Sequence, residues 1–148
     1  MPLDHQSKQK LENLVRIGQL HREPFNKREF EGLLNSARDR LNDAAIETLS
    51  FPGRFDLIYN ASHALGLAAL RFHGYRSDNR FQVFQCLAHS LDFLAVDVRV
   101  FSQCHDRRNL AEYEGHLEIE AALLDEFVRL SNKLLVAVES LYRSAEKD

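Results

Sequence analysis

The apolar residues of this chain recur at the spacing of an α-helix along nearly its whole length. Near the C-terminal end, six of them from Leu123 to Leu141 follow one another at intervals of three and four residues. This spacing places all six on one face of a helix, where they can pack against a neighbour. Strand-like alternation over more than four residues is hard to find, and the sequence therefore predicts an all-α fold.

Turn-forming residues divide this pattern into five or six helices. Asn26 can cap one helix, because Glu29 follows three residues later at the spacing of a capping box. Pro52 fits the first turn of another, Asp92 is the expected cap of a later one, and Gly115 is its expected stop. The predicted helices cover about residues 4–21, 26–45, 50–74, 77–90, 92–115 and 118–143, and Ser77, Asp78 or Asn79 can cap the fourth of them. Because the links are short, we predict an up-and-down antiparallel bundle of five to six helices.

The length of the chain fits a single domain. We assign residues 1–148 to one helical-bundle domain, in which a helix pair at 1–49 precedes a core at 50–143. The third predicted helix is rich in small residues, among them Ala61, Gly66 and Ala68. Small side chains let another helix come close, and that neighbour can belong to the same chain or to a second subunit.

Composition and charge exclude several classes of protein. The chain lacks a run of about 18 apolar residues that a membrane helix needs, and its polar N-terminus does not resemble a secretory signal. Cys86 and Cys104 lie in apolar periodic stretches and read as reduced core residues, so we expect a cytoplasmic protein. A net charge of −3 argues against binding nucleic acid by bulk electrostatics, and contact with RNA would depend on a few arginines.

The most polar helical stretch is CHDRRNLAEYEGH, residues 104–116. On a helix, His105, Asn109 and Tyr113 recur every four residues, and His116 extends this row if Gly115 does not end the helix first. Imidazole, amide and phenol groups on one face make a candidate site.

Arg107 and Arg108 flank this row, and guanidinium groups bind phosphate through paired hydrogen bonds. Arg107 and His105 are therefore candidate phosphate or RNA contacts. The alternative interpretation is an ordinary solvated helix end, because Arg108 and Glu112 form an i, i+4 pair. The histidines lack the spacing of metal ligands and no nucleotide-binding motif is present, so we expect neither a metal nor a cofactor.

Two stretches stand out together: YNASHALGLAALRFHGYR at residues 59–76 and RNLAEYEG at 108–115. In their order and helical setting they resemble the HEPN family of small helical-bundle proteins, the second matching the Arg-Asn…Tyr motif of one branch. The resemblance spans about residues 54–141. It implies a HEPN-like bundle that forms a homodimer, with the polar motifs of both subunits facing one cleft.

The resemblance also implies two alternative functions. The first is an accessory or toxin–antitoxin-type component that pairs with a nucleotidyltransferase or an antitoxin, with Tyr113 as a target of modification. The second is a metal-independent endoribonuclease. In that reading Arg108 stabilises the charge on the phosphorane, His116 is the general acid or base, and Asn109 and Tyr113 orient the phosphate. Seven residues separate Arg108 from His116, one more than the nuclease members carry.

Overall fold

The structure is a computed structural model and describes residues 3–147. Most of these residues are helical, which confirms the all-α prediction. The helices are α1 (His5–Arg16), α2 (Lys27–Ala44), α3 (Phe51–Phe72), α4 (Arg80–Gln85), α5 (Leu87–Ser90), α6 (Ala95–Glu114) and α7 (Ala121–Lys147). Two short strands, β1 (His21–Arg22) and β2 (Tyr75–Arg76), pair antiparallel.

Several predicted helix ends are confirmed by their hydrogen bonds. The side chain of Asn26 accepts a hydrogen bond of 2.9 Å from the backbone N–H of Glu29 and caps α2. Pro52 lies in the first turn of α3, where it needs no hydrogen-bond donor. Gly115 ends α6 with a φ of 85°, a left-handed conformation that glycine adopts without strain.

The first predicted helix was wrong at its C-terminal end. It stops at Arg16, and Gly18 turns the chain with a φ of 79°. Residues 21–22 then form β1, opposite β2 at 75–76. A strand of two residues has no alternation to read, so the sequence pattern could not predict it.

The region between α4 and α6 also differs from the prediction. The fourth predicted helix divides at Cys86 into α4 and α5. Asp92 does not cap α6: it has a φ of 55°, and the N-cap position is Leu94, which makes no side-chain capping bond. The backbone turns sharply here, which a count of apolar residues does not register.

Helix α3 packs against α2, α4, α5 and α7 and supplies much of the core. A Cβ atom at Gly66 would lie 2.9 Å from Cγ1 of Val83, so α4 sits directly on the small-residue stretch. The close neighbour of that stretch is therefore part of the same chain. The predicted stripe of α7 is buried at Phe127, Leu130, Leu134, Val138 and Leu141.

A buried arginine ties the end of α3 to the segment before α2. The side chain of Arg71 is 1% exposed, and it donates hydrogen bonds to the backbone oxygens of Glu23 at 2.8 Å and Pro24 at 2.7 Å. It also forms ion pairs with the carboxylates of Glu23 and Glu29, which Arg76 bridges from the other side. We call these four charged residues, Arg71, Arg76, Glu23 and Glu29, the Arg71 clamp.

Candidate functional site

Helix α6 turns an imidazole towards the core at His105, which is 8% exposed. Its Nδ1 lies 2.8 Å from the hydroxyl oxygen of Tyr59, a residue of α3 that is 1% exposed. The two rings stack with an interplanar angle of 20°. Each buried polar group thus supplies the partner that the other needs in an apolar setting.

Asn109 lies one turn beyond His105 and fixes the direction of these hydrogen bonds. Its Oδ1 accepts a hydrogen bond from Nη1 of Arg108 at 3.4 Å, which leaves the amide N–H groups facing His105. The Nδ2 of Asn109 lies 3.1 Å from Nε2 of His105. A neutral imidazole then accepts at Nε2 and donates from Nδ1 to the oxygen of Tyr59. The hydroxyl proton of Tyr59 therefore points away from His105.

Two arginines from different helices cover the ring of Tyr59. The Cζ of Arg108 lies 5.0 Å from the ring centroid and the Cζ of Arg80 lies 5.6 Å away, both within cation–π range. Arg80 also donates to the side-chain oxygen of Asn60 at 3.3 Å. Arg108 pairs with Glu112 at 2.9 Å, whereas Arg80 has no ion pair within residues 3–147.

The positive charges and the burial keep the nearby histidines neutral. Burial, followed by the charges of Arg80 and Arg108, lowers the pKa of His63 to about 4. The pKa of His105 is lowered by burial and by Arg108 and Arg80, against an opposing effect of Asp106. Burial raises the pKa of Tyr59 although the two arginines oppose it, so the phenol stays protonated near neutral pH.

We call this group the Tyr59 cluster: Tyr59, His63, Arg80, His105, Arg108 and Asn109. It combines two guanidinium groups, an amide, a phenol and two neutral imidazoles. An exposed aromatic ring, Phe81, lies at its edge with its centroid 6.0 Å from that of His105. Guanidinium groups beside an open aromatic ring suit a ligand that carries a phosphate and a flat ring.

Three of the predicted site residues, His105, Arg108 and Asn109, belong to the Tyr59 cluster. Arg108 and His116 also line one groove of about 430 Å³ between the start of α3 and the end of α6. His116 itself is exposed and pairs with Glu118 at 3.2 Å, because Gly115 ends the helix before the row can continue.

The remaining predicted residues point away from the Tyr59 cluster. Arg107 donates to the backbone oxygen of Glu118 at 3.3 Å and pairs with Glu120 at 3.4 Å. Tyr113 is 93% exposed. Neighbouring residues of a helix are rotated by about 100°, so Arg107 and Arg108 face different surroundings although they are adjacent in the chain.

Sequence reasoning missed Tyr59, Arg80 and the role of His63 in this cluster. Tyr59 and His63 stand four residues apart on α3, and that spacing of two polar rings in an apolar helix was the available signal. Arg80 gave no signal, because it begins α4 and reaches Tyr59 only through the folding of the chain.

Within residues 3–147, no three or more His, Cys, Asp or Glu side chains are grouped so that they could hold a metal ion. Burial raises the pKa of the Cys86 thiol to about 11 and that of Cys104 to about 12, so neither thiol forms a thiolate near neutral pH.

Along the same described stretch, the helices are too short or too polar to span a bilayer. Comparison of the chain with protein-family models, with curated proteins and with solved structures gives no match.

Proposed function

We propose that this protein is a HEPN-like dimeric accessory or toxin–antitoxin-type component that binds a phosphate-bearing ligand at the Tyr59 cluster. The observation that carries the binding proposal is the pair of guanidinium groups over one buried phenol. Arg80 lacks a carboxylate partner within residues 3–147, and the carboxylate that pairs with Arg108 is 65% exposed and readily exchanged for another anion.

The hydrogen bonds of His105 favour binding over proton transfer. Both of its ring nitrogens are occupied, one by Tyr59 and the other by Asn109. A general base must have a nitrogen free to reach the proton that it removes. His105 therefore serves better to hold Tyr59 and Asn109 in place than to exchange protons with a ligand.

Ligand binding is tested with adenosine 5′-monophosphate and a short single-stranded RNA, titrated by calorimetry. We expect Arg80→Gln and Arg108→Gln each to weaken binding about tenfold, the loss typical of one charge-assisted contact. Arg107→Gln is the matched control, because Arg107 faces Glu120. An equal loss in all three variants would indicate diffuse electrostatics, and no binding by the native chain would refute the proposal.

The dimer and the partner are proposed from the exposed side of α6. Val96 and Leu110 are 56% and 45% exposed and lie fourteen residues apart, close to four turns, so they share one face. The polar residue Gln103 lies exposed midway between them, and a mixed apolar and polar face is typical of interfaces between separable chains. This face offers an interface to a second copy or to a partner protein.

Pairing with a nucleotidyltransferase is supported by the accessibility of Tyr113, which is 93% exposed. Nucleotidyl transfer would join its phenol oxygen to the α-phosphorus of a nucleoside triphosphate and release pyrophosphate and the phenol proton. The test is co-expression with a nucleotidyltransferase encoded beside this chain, followed by mass spectrometry. We expect co-purification and a nucleotidyl adduct that Tyr113→Phe abolishes, and separate elution without an adduct would count against the pairing.

A metal-independent endoribonuclease is the second candidate, favoured by the groove that Arg108 and His116 share. There the ribose 2′-oxygen would attack phosphorus, giving a 2′,3′-cyclic phosphate as the 5′-oxygen leaves. His116 would transfer the proton and Arg108 would stabilise the phosphorane. RNA cleavage in EDTA that both Arg108→Ala and His116→Ala abolish would establish this function. RNA left intact at high protein excess would exclude it.

A further inference from the structure

A second cavity, of about 700 Å³, lies where the end of α2 and the start of α3 meet α7. It shares no lining residue with the Tyr59 cluster or with the groove of Arg108 and His116. Its size is within the range of small-molecule sites. Its apolar wall consists of Leu41, Leu49, Phe51, Ile58, Val128 and Leu135.

One cation lines this apolar cavity. Arg54 donates from Nε to the backbone oxygen of Ala44 at 3.0 Å, which fixes the guanidinium at the junction of α2 and α3. Within residues 3–147 its other nitrogens make no hydrogen bond and it has no ion pair. Arg54 also lies in the first turn of the 22-residue helix α3, where the helix dipole adds positive potential. The cavity therefore offers an unused positive charge beside an apolar wall.

We propose that this cavity binds an aliphatic monocarboxylate, with the carboxylate on Arg54 and the chain against the apolar wall. Besides Arg54, the polar side chains in the lining are those of Asn42, Glu47 and Asn132. A peptide laid along the apolar wall would leave amide groups there without partners, whereas an aliphatic chain has none to satisfy. The lining holds the single cation Arg54 and the acid Glu47, so it has no positive group for a second carboxylate, which favours one carboxylate over two.

The first test is titration of the ¹⁵N-labelled protein with sodium decanoate below its aggregation concentration, followed by NMR. We expect saturable shifts confined to amides of residues 41–58 and 128–135. Acetate has the charge without the chain and decanol has the chain without the charge, so each should bind at least about tenfold more weakly. Decanol binding as tightly as decanoate would refute the role of Arg54, and unsaturable or scattered shifts would refute the site.

Two variants locate the ligand. Arg54→Gln removes the charge but can still donate to Ala44, and it should weaken decanoate binding about tenfold. Val128→Phe narrows the cavity at its apolar wall and should weaken decanoate binding. Arg16→Gln, on α1, is the matched control, and circular dichroism checks that each variant is folded. Unchanged binding in folded Arg54→Gln and Val128→Phe would overturn the proposal.

A short peptide with a C-terminal leucine provides the remaining comparison. Weaker binding by this peptide than by decanoate supports the aliphatic ligand, and tighter binding would overturn it in favour of a protein terminus. Binding of adenosine 5′-monophosphate should be the same in Arg54→Gln as in the native chain. The two sites can therefore fail independently of one another.

Discussion

Replacement of the buried Arg71 by methionine should destabilise the fold more than any change at a surface ion pair. Methionine is apolar and of similar volume, so Arg71→Met removes the charge and the donors while leaving most of the space filled. The guanidinium is 1% exposed, and it donates to the backbone oxygens of Glu23 and Pro24 as well as to the carboxylate of Glu29. All three acceptors lose this partner in the variant.

The size of the effect follows from the exposure of the partners. Removing one member of a buried ion pair destabilises a protein by about 3–5 kcal/mol. The carboxylates of Glu23 and Glu29 are 45% and 35% exposed, so water can replace part of the lost contact. We therefore expect a loss of about 3 kcal/mol, a large fraction of the ~5–15 kcal/mol that stabilises a typical domain.

The assay is urea denaturation followed by circular dichroism at pH 7. Arg38→Met is the matched control, because Arg38 pairs with Glu139 at 2.9 Å but is 37% exposed. Surface pairs of this kind contribute about 0–1 kcal/mol. Equal losses in Arg71→Met and Arg38→Met would refute the reasoning, since burial would then have no effect on the strength of the contact.

The same clamp predicts a pH dependence through Glu29. Burial alone would raise the pKa of this carboxyl, but the hydrogen bond and charge of Arg71 and the charge of Arg76 outweigh it, leaving the pKa below its usual 4.5. A pKa that is lower in the folded state stabilises the fold above the unfolded value, and this contribution is lost as the pH falls through the folded pKa. The stability difference between the native chain and Glu29→Gln should therefore be full at pH 7 and shrink below pH 4.5. A stability difference independent of pH would show that the clamp does not lower the pKa of Glu29.

Two further predictions concern close packing and assembly. Gly66→Ala should destabilise the fold by about 1 kcal/mol in urea denaturation, because the new methyl group would lie 2.9 Å from Cγ1 of Val83, and overpacking exceeds the helix-propensity gain of alanine. Adding Val83→Ala should relieve this overlap, so the double variant should lose less stability than the two single losses added together. Strictly additive losses would contradict the contact. Leu110→Glu should convert a dimer into a monomer, as measured by light scattering, without loss of helical signal. Glu114→Gln should leave the dimer intact. An unchanged mass of Leu110→Glu would place the interface elsewhere.

Helix type and the core face of α7 were predictable because periodicity is a local property. Every residue from Phe127 to Leu141 in that stripe is positioned by its own helix, so spacing alone defines the buried face. The strand pair could not be predicted, since β1 and β2 are more than fifty residues apart in the chain and each is only two residues long. Arg71 was invisible for a related reason: its partners lie 42–48 residues away, and nothing nearby marks it as buried.

The candidate site likewise contains residues that the sequence predicted and residues that it did not. His105 and Asn109 share one face of α6, as the helical period predicted. Tyr113 and His116 continue the row in sequence, but the last turn of α6 is exposed, so Tyr113 reaches solvent, and Gly115 ends the helix before His116. Tyr59 and Arg80 enter the site from other helices, and only tertiary structure could add them.

The Arg71 clamp and the Tyr59 cluster are joined by a short segment, so the stability of one should affect ligand binding at the other. Arg71 also donates to the backbone oxygen of Tyr75 at 3.4 Å, and only four residues separate Tyr75 from Arg80. Asn79 then caps α4, because its side-chain oxygen accepts a 2.9 Å hydrogen bond from the backbone N–H of Gln82. This cap fixes the first turn of α4, which begins at Arg80. We therefore expect Arg71→Met, at a temperature where it is fully folded, to bind adenosine 5′-monophosphate more weakly than Arg38→Met does. Equal affinities would show that the cap of α4 positions Arg80 without help from the clamp.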